Sequence, residues 1–325
     1  MPVSLPLRLL DRVRELGSPD LRTASPEQLA RARSTRVPEG PAGAVLGPLV
    51  GWLLGSPHPD AVVQDTTVPG ADGDLPLRVW APRTLPAGAP LVVHLHGGGF
   101  VVGGPALYDW WCSELAVRLG AVVASVDYRK APEHPAPAAS EDAIAAATAL
   151  LDSAGERFGA TGRAAVTGDS AGGNLATLVA LALRGDQRLA AQWLVYPATD
   201  MTRSLPSHAR LPAEPFLPRE SMDVFTEMYL AGGIAADDPR VSPLLGDDPA
   251  GSAPALVQVA TRDPLVDEGE AWATRLEDAG VAVRLSAYVD QPHGFASVPG
   301  LSPAARQALE EGVRFLRRHL SPEGR

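Results

Sequence analysis

Cysteine is almost absent: Cys112 stands alone in 325 residues, which excludes any intrachain disulfide and argues against a zinc cluster. Its place beside Leu115 and Leu119 in a predicted helix reads as inert packing. No metal site or other cofactor is expected. The chain also lacks a long Lys/Arg run, and 28 basic against 38 acidic residues leave a net charge of −10. That balance argues against nucleic acid as a partner and chiefly means solubility. Long apolar runs are missing too. The least charged stretch, residues 41–59, is interrupted by Gly and Pro and is too short to span a bilayer, although it could cover a pocket. Near the N-terminus, Pro2, Pro6, Arg8, Asp11, Arg12 and Arg14 interleave with the leucines. No secretory signal is read there, so the expectation is a cytoplasmic protein with no stable membrane insertion. No internal repeat or low-complexity tail is found.

What is present is an apolar fraction of 45%, enough for a sizeable core. Strand-like runs begin near Val62, Leu75, Leu91, Ala121, Arg163, Ala190, Ala255 and Val281 and alternate with helical ones. That is the pattern of an α/β fold with an eight-stranded, mostly parallel sheet flanked by helices. The first two runs are joined by the turn-rich Pro69-Gly-Ala-Asp-Gly-Asp74, short enough for an antiparallel pair. Two segments stand outside this alternation. Residues 1–58 look helical and apolar in patches, starting with Leu7, Leu9 and Leu10. Residues 201–237 contain a predicted helix over 219–230 that Gly232 and Gly233 end.

The chemistry concentrates at Gly168-Asp-Ser-Ala-Gly172. Arg163-Ala-Ala-Val-Thr-Gly168 reads as a buried strand, and the Ala- and Leu-rich stretch after Gly172 reads as a helix. Ser170 therefore falls at a sharp strand-to-helix turn, the setting in which G-x-S-x-G presents serine as a nucleophile. On composition alone the pentapeptide is a weak signal, and a Gly-Ser surface loop is the competing reading. His96-Gly-Gly-Gly-Phe100 follows the apolar strand Leu91-Val-Val-His-Leu95. Backbone without Cβ atoms can approach a ligand closely and aim its N–H groups at one point, which an oxyanion requires. Gly98 and Gly99 are the candidate donors, with Ala171 as a third, and a flexible turn is the alternative. His96 is read as ordering that loop through a backbone hydrogen bond.

These two motifs, together with Tyr128-Arg-Lys-Ala-Pro-Glu-His-Pro135, Asp238-Pro-Arg-Val-Ser-Pro-Leu244, Asp263-Pro-Leu-Val-Asp-Glu268 and His293-Gly-Phe295, resemble the bacterial hormone-sensitive-lipase family of esterases. The resemblance runs from about residue 60 onward. Lys130 departs from it, standing where the family more often has Leu, with an effect expected on packing or solvation near the site. The resemblance implies an α/β-hydrolase fold with a helical cap. The cap would comprise 1–58 and the insertion 201–237; the core would comprise 59–200 and 238–325. It also implies a triad of Ser170 as nucleophile, Asp263 as acid and His293 as base.

The residues agree with that assignment. A serine hydroxyl needs an imidazole to accept its proton, and the imidazole needs a carboxylate to fix its tautomer. Asp263 and His293 both follow predicted strands, where α/β sheets gather ligand-binding residues. Asp267 is the rival acid but falls where a helix should begin. Among seven histidines, His94 lies in a strand, His96 opens the glycine loop and His134 sits between prolines.

The implied activity is hydrolysis of short- to medium-chain carboxylic esters through an acyl-enzyme, without a cofactor, on a small-molecule substrate. An amidase or a longer-chain lipase would share the triad. A non-catalytic receptor is the reading from another class: the plant gibberellin receptor resembles this family but lacks a usable catalytic histidine, whereas Ser170, Asp263 and His293 are all present here. Trp52, Phe216, Met222, Phe225 and Tyr229 are candidate pocket residues, with cap-to-core packing as their alternative. Trp110 and Trp111 are closer to the glycine loop, and at least one is expected to line the pocket. Pairing of two copies through the last strand and its neighbouring helix would resemble some family members.

Overall fold

A computed structural model of the chain describes residues 3–17, 20–34 and 41–321. Its strands are β1 (Ala61–Gly70), β2 (Gly73–Pro82), β3 (Leu91–Leu95), β4 (Val122–Val126), β5 (Ala164–Asp169), β6 (Leu189–Val195), β7 (Ala255–Arg262) and β8 (Val283–Pro292). They form one eight-stranded sheet in the order β1-β2-β4-β3-β5-β6-β7-β8. β2 pairs antiparallel with both β1 and β4, and every other neighbouring pair is parallel. β2 alone therefore runs against the rest, as the short link after Pro69 foretold.

The central strands β3, β4, β5 and β6 are buried at every residue, because helices cover both faces of the sheet and leave no wet side. The helices are α1 (Leu5–Gly17), α2 (Pro26–Ser34), α3 (Pro41–Leu54), α4 (Asp109–Leu119), α5 (Ala138–Phe158), α6 (Ala171–Ala182), α7 (Pro206–Arg210), α8 (Arg219–Tyr229), α9 (Val266–Asp278) and α10 (Pro303–Leu320). Successive strand side chains point to opposite faces, and two core clusters follow from that alternation. Leu91, Val93 and Leu95 of β3 pack with α5, α6 and α9. Val92 packs with α4 and α10. Cys112 is buried in that second cluster, as inert packing requires.

The two segments outside the alternation meet each other. Val3 and Leu7 form a small cluster with Leu54, Phe216 and Val298. The Phe216 amide donates to the Asp11 carboxylate at 2.9 Å. Leu29 of α2 joins Phe225 and Met228 of α8 over Val101 and Ala131 of the core, and Arg22 pairs with Glu227 at 3.2 Å. Among the described residues no helix is long and apolar enough to cross a membrane.

One fully buried carboxylate joins three parts of the core. Asp142 of α5 accepts the Arg129 Nε at 2.8 Å, Nη2 at 2.9 Å and backbone N–H at 3.0 Å, and the Ala71 amide in the β1–β2 turn at 3.2 Å. Replacing it leaves two amides without their acceptor and the Arg129 guanidinium with only the exposed Asp72 carboxylate at 3.2 Å. Asp142→Ala is expected to destabilise the fold by on the order of 3 kcal/mol, read as a lower urea midpoint at unchanged m.

Candidate active site

Ser170 sits between the last residue of β5 and the first of α6, at φ 55° and ψ −121°. The turn works because Gly168 and Gly172, two residues to either side, have no side chains: a Cβ on Gly172 would lie 2.0 Å from the Leu95 carbonyl oxygen, an overlap no packing tolerates. The Ser170 amide donates to Val195 O at 2.9 Å, and its carbonyl accepts the Asn174 amide at 3.0 Å. Ser170 Oγ is 2.8 Å from His293 Nε2, and His293 Nδ1 is 2.7 Å from Asp263 Oδ2. An ionised carboxylate only accepts, so Nδ1 carries the proton and Nε2 offers its lone pair to the Ser170 hydroxyl. Asp263 is fully buried, and its Oδ1 accepts the Leu265 amide at 2.8 Å. The Tyr196 ring, 4.6 Å from the His293 ring, backs the imidazole. Asp267, the rival acid, is engaged elsewhere: it accepts the Ser207 amide and pairs with Arg210.

The glycine loop arrives from the end of β3. Gly98 and Gly99 take φ values of 127° and 60°, in the region that favours glycine. A Cβ on Gly99 would lie 2.4 Å from the Phe225 ring. Gly98 O closes a tight turn by accepting the Val101 and Val102 amides at 3.1 and 2.9 Å. Beneath the loop, His96 Nδ1 donates to Gly97 O at 2.8 Å, the backbone bond expected of it. Burial lowers the His96 pKa, which favours the neutral ring. His96 stacks on Tyr128 at 4.3 Å, and the Tyr128 hydroxyl donates to His96 O at 2.7 Å. Lys130 lies just below: it pairs with Asp127 and donates to Tyr128 O at 3.1 Å. It therefore touches the support of the loop rather than the triad.

A cleft of about 480 Å³, open to solvent, holds Ser170, Ala171 and Gly99. Its walls include Met201, Leu217, Met222, Phe225 and Leu265. Phe100 and Tyr229 also line it, with their rings stacked 3.8 Å apart. Met222, Phe225 and Tyr229 are among these lining residues, and Gly98 directly precedes Gly99 in the loop that reaches the cleft. The other expected wall residues lie elsewhere. Trp110 and Trp111 are buried on α4 in the second core cluster, with Trp111 5.1 Å from the Trp193 ring. They line a separate cavity behind the turn, because nearness to the glycine loop in sequence does not fix which side of the sheet a helix covers. Phe216 is held in the Val3–Leu7 cluster. Trp52 is 56% exposed, and its neighbour Leu53 accepts the Gly300 amide at 3.1 Å.

Some contributors were not read from the sequence. Arg33 of α2 reaches the glycine loop, donating to Val101 O at 2.9 Å and Ala131 O at 2.8 Å. His208 and Glu268 join across the cleft wall at 2.7 Å, and burial raises the Glu268 pKa. Asp169 lies buried behind Ser170, where desolvation pushes its pKa up to about 6 against the polar groups that favour its charge. The signal for Asp169 was its position, an acid ending an otherwise uncharged buried strand.

Several known proteins are similar. A family model described as an α/β-hydrolase fold matches residues 92–297. LipN, a carboxylic ester hydrolase of Mycobacterium tuberculosis, is 41% identical over 267 residues, spanning 80% of this chain and 71% of that protein. The ethyl acetate hydrolase of Pseudomonas putida is 39% identical over 271 residues, spanning 81% of this chain and 84% of that protein. Among solved structures, the hyperthermophilic esterase of the archaeon Pyrobaculum calidifontis superimposes with a TM-score of 0.84 at 34% identity, covering 98% of this chain and 99% of that one.

A raised carboxyl pKa has a definite sign for stability. The folded state holds the Asp169 proton up to about pH 6, whereas the unfolded chain releases it near pH 4. The stabilisation is complete below that lower value and is lost as pH rises through the folded one. Urea unfolding should show a contribution of about 3 kcal/mol lost between roughly pH 4 and pH 6, and Asp169→Asn should remove that part of the slope.

Proposed function

The chain belongs to the hormone-sensitive-lipase-like family of α/β-hydrolase esterases and is a carboxylic ester hydrolase, and from that premise we propose that Ser170, His293 and Asp263 carry the reaction on short- to medium-chain acyl esters. The observation that carries this reading is the unbroken hydrogen-bonded line Asp263–His293–Ser170, with bonds of 2.7 and 2.8 Å. Ser170 Oγ attacks the ester carbonyl carbon while His293 Nε2 takes the hydroxyl proton. The carbonyl oxygen becomes an oxyanion held by the N–H groups of Gly98, Gly99 and Ala171. The tetrahedral species collapses, the carbon–oxygen bond to the alcohol breaks, and His293 gives its proton to the leaving oxygen. Water then adds to the acyl-enzyme, with His293 taking its proton, and collapse returns the acid and free Ser170. Asp263 stays ionised throughout and steadies the imidazolium.

The residues 1–58 and 201–237 act as the cap over a core of 59–200 and 238–325. Their meeting over the glycine loop supports this, through Leu29, Phe225 and Met228. Met222 and Phe225 bound the acyl group, and the modest cleft favours chains of about C2 to C8 over long lipid, an expectation that follows the family. Strand β8 ends the sheet with Leu285 and Val289 exposed, which supports pairing of two copies along that edge.

Ser170→Ala and His293→Ala should each lower turnover of p-nitrophenyl acetate by several orders of magnitude, and Asp263→Asn by about 10⁴-fold. Undiminished hydrolysis by a folded Ser170→Ala protein would sink the assignment. On a panel of p-nitrophenyl esters, Phe225→Ala should move the kcat/KM optimum to longer chains, by about 10-fold or more for the longest acyl group that the parent accepts poorly. An unmoved optimum removes Phe225 from the acyl wall.

A further inference from the structure

Asp169 is adjacent in sequence to the nucleophile, yet its side chain points away from the reacting atoms, toward the glycine loop. Its Oδ1 accepts the Gly97 amide at 2.9 Å, and its Oδ2 accepts the Tyr108 hydroxyl at 3.0 Å. The Tyr108 oxygen also accepts the Gly97 amide, at 2.9 Å. Gly97, Tyr108 and Asp169 therefore form a closed triangle. The approach is close: a Cβ on Gly97 would lie 2.6 Å from Asp169 Oδ2, so only glycine lets the carboxylate reach that amide. The triangle joins the residue before Ser170 to the residue before Gly98.

We propose that Asp169 is a positioning residue that fixes the oxyanion loop to the nucleophile turn through Gly97 and Tyr108. The inference rests on the active-site reading above. Physically, oxyanion donors act only if they sit at hydrogen-bond distance from where the oxyanion forms, and that point is set by Ser170 Oγ. The nucleophile and the loop come from different strands, β5 and β3, so something must hold their separation. A buried carboxylate accepting two hydrogen bonds is a strong and directional tie. Such a group is costly to bury for packing alone, because a neutral side chain would fill the same space without desolvating a charge. Asp169 also lies near enough to His293 to act on its charge, so the test must separate positioning from stabilisation of the imidazolium.

Two substitutions make that separation. Asp169→Asn keeps an oxygen for the Gly97 amide and an NH2 for the Tyr108 oxygen but carries no charge; Asp169→Ala removes both links. Positioning predicts that Asp169→Ala lowers kcat for p-nitrophenyl acetate by about 10²-fold or more with KM within about threefold, and that Asp169→Asn stays within about 10-fold of the parent. A charge effect on His293 predicts equal loss in both variants, and that outcome overturns the proposal. A second readout compares an ester with its thiono analogue, whose developing sulfur anion gains little from amide donors. The ester-to-thionoester ratio of kcat/KM should fall in Asp169→Ala; an unchanged ratio, or kcat within threefold of the parent, also overturns it. If Asp169→Ala does not fold, Tyr108→Phe takes its place: its ester-to-thionoester ratio should fall at least threefold, and an unchanged ratio counts against the proposal. Labelling by a serine-directed phosphonate should persist in every folded variant. Its loss in Ser170→Ala tests the nucleophile assignment separately, so the two readings can fail independently.

Discussion

A serine held at φ 55° is the constraint on which the rest of the molecule depends. A residue with a Cβ pays roughly 1–3 kcal/mol to sit in that region and stays there only if its surroundings leave no alternative. Here they leave none. The Ser170 amide is bound to Val195 O, and its carbonyl accepts the amides of Asn174 and Ala198. The Asn174 side chain then ties Ala198 O and Val241 O together, at 2.8 Å each. β5 on one side and α6 on the other are buried along nearly their whole length. Relaxing the turn would therefore disturb the centre of the sheet, and the hydroxyl is kept outward by the stability of the core.

The direction of the strands explains why the other groups arrive at that hydroxyl. β3, β5, β7 and β8 are parallel, so the loops that follow them open on one edge of the sheet. The glycine loop, the serine turn, Asp263 and His293 are those four loops in chain order. The antiparallel β2 cannot contribute there and instead joins the edge strand β1 to β4. Residues separated widely in sequence thus converge without any long excursion of the backbone. The buried Asp263 carboxylate is tolerable because an imidazole and an amide take its hydrogen-bonding capacity, the condition under which a charge can be kept from water.

What could be read from the sequence follows the range over which each signal acts. Strand onsets, the serine turn and the glycine loop are local: they depend on apolar runs and on small residues at fixed offsets, and the structure places them within two residues of the reading. Ser170, Asp263 and His293 were singled out by the family resemblance, with which the rule that parallel strands share an edge agrees. The walls of the cleft were less legible, because a helix's apolar face does not say what it faces. Trp110 and Trp111 have the bulk and sequence position of pocket residues but pack in the second core cluster, Trp111 against Trp193. Phe225 and Phe216 look alike in sequence, yet one lies on Gly99 and the other is drawn toward α1. Arg33 could not be found at all, since its contacts lie across the fold at Val101 and Ala131.

The proposed cap does more than wall the cleft, because α7, the first helix of the 201–237 insertion, is fastened to the loop that carries Asp263. The Ser207 amide donates to Asp267 Oδ2 at 2.8 Å, and its hydroxyl to the carbonyl of Pro264, next to Asp263. His208 meets Glu268 at 2.7 Å, and Arg210 meets Asp267 at 2.8 Å. Glu268 in turn accepts the amides of Thr199 and Asp200, where the chain leaves the core for the insertion. The segment that shapes the cleft and the segment that holds the triad's carboxylate therefore share one set of polar ties. α8 is attached differently: beside the apolar contacts of Phe225 and Met228, its ion pairs run from Glu227 to Arg22 and from Asp223 to Arg203 rather than to the Asp263 loop. On the proposed assignment, changes on the α8 wall alter which acyl group fits while leaving the Asp263–His293–Ser170 line in place. Changes on α7 reach the acid as well, so the two walls of one cleft differ in how far substrate choice can vary independently of rate.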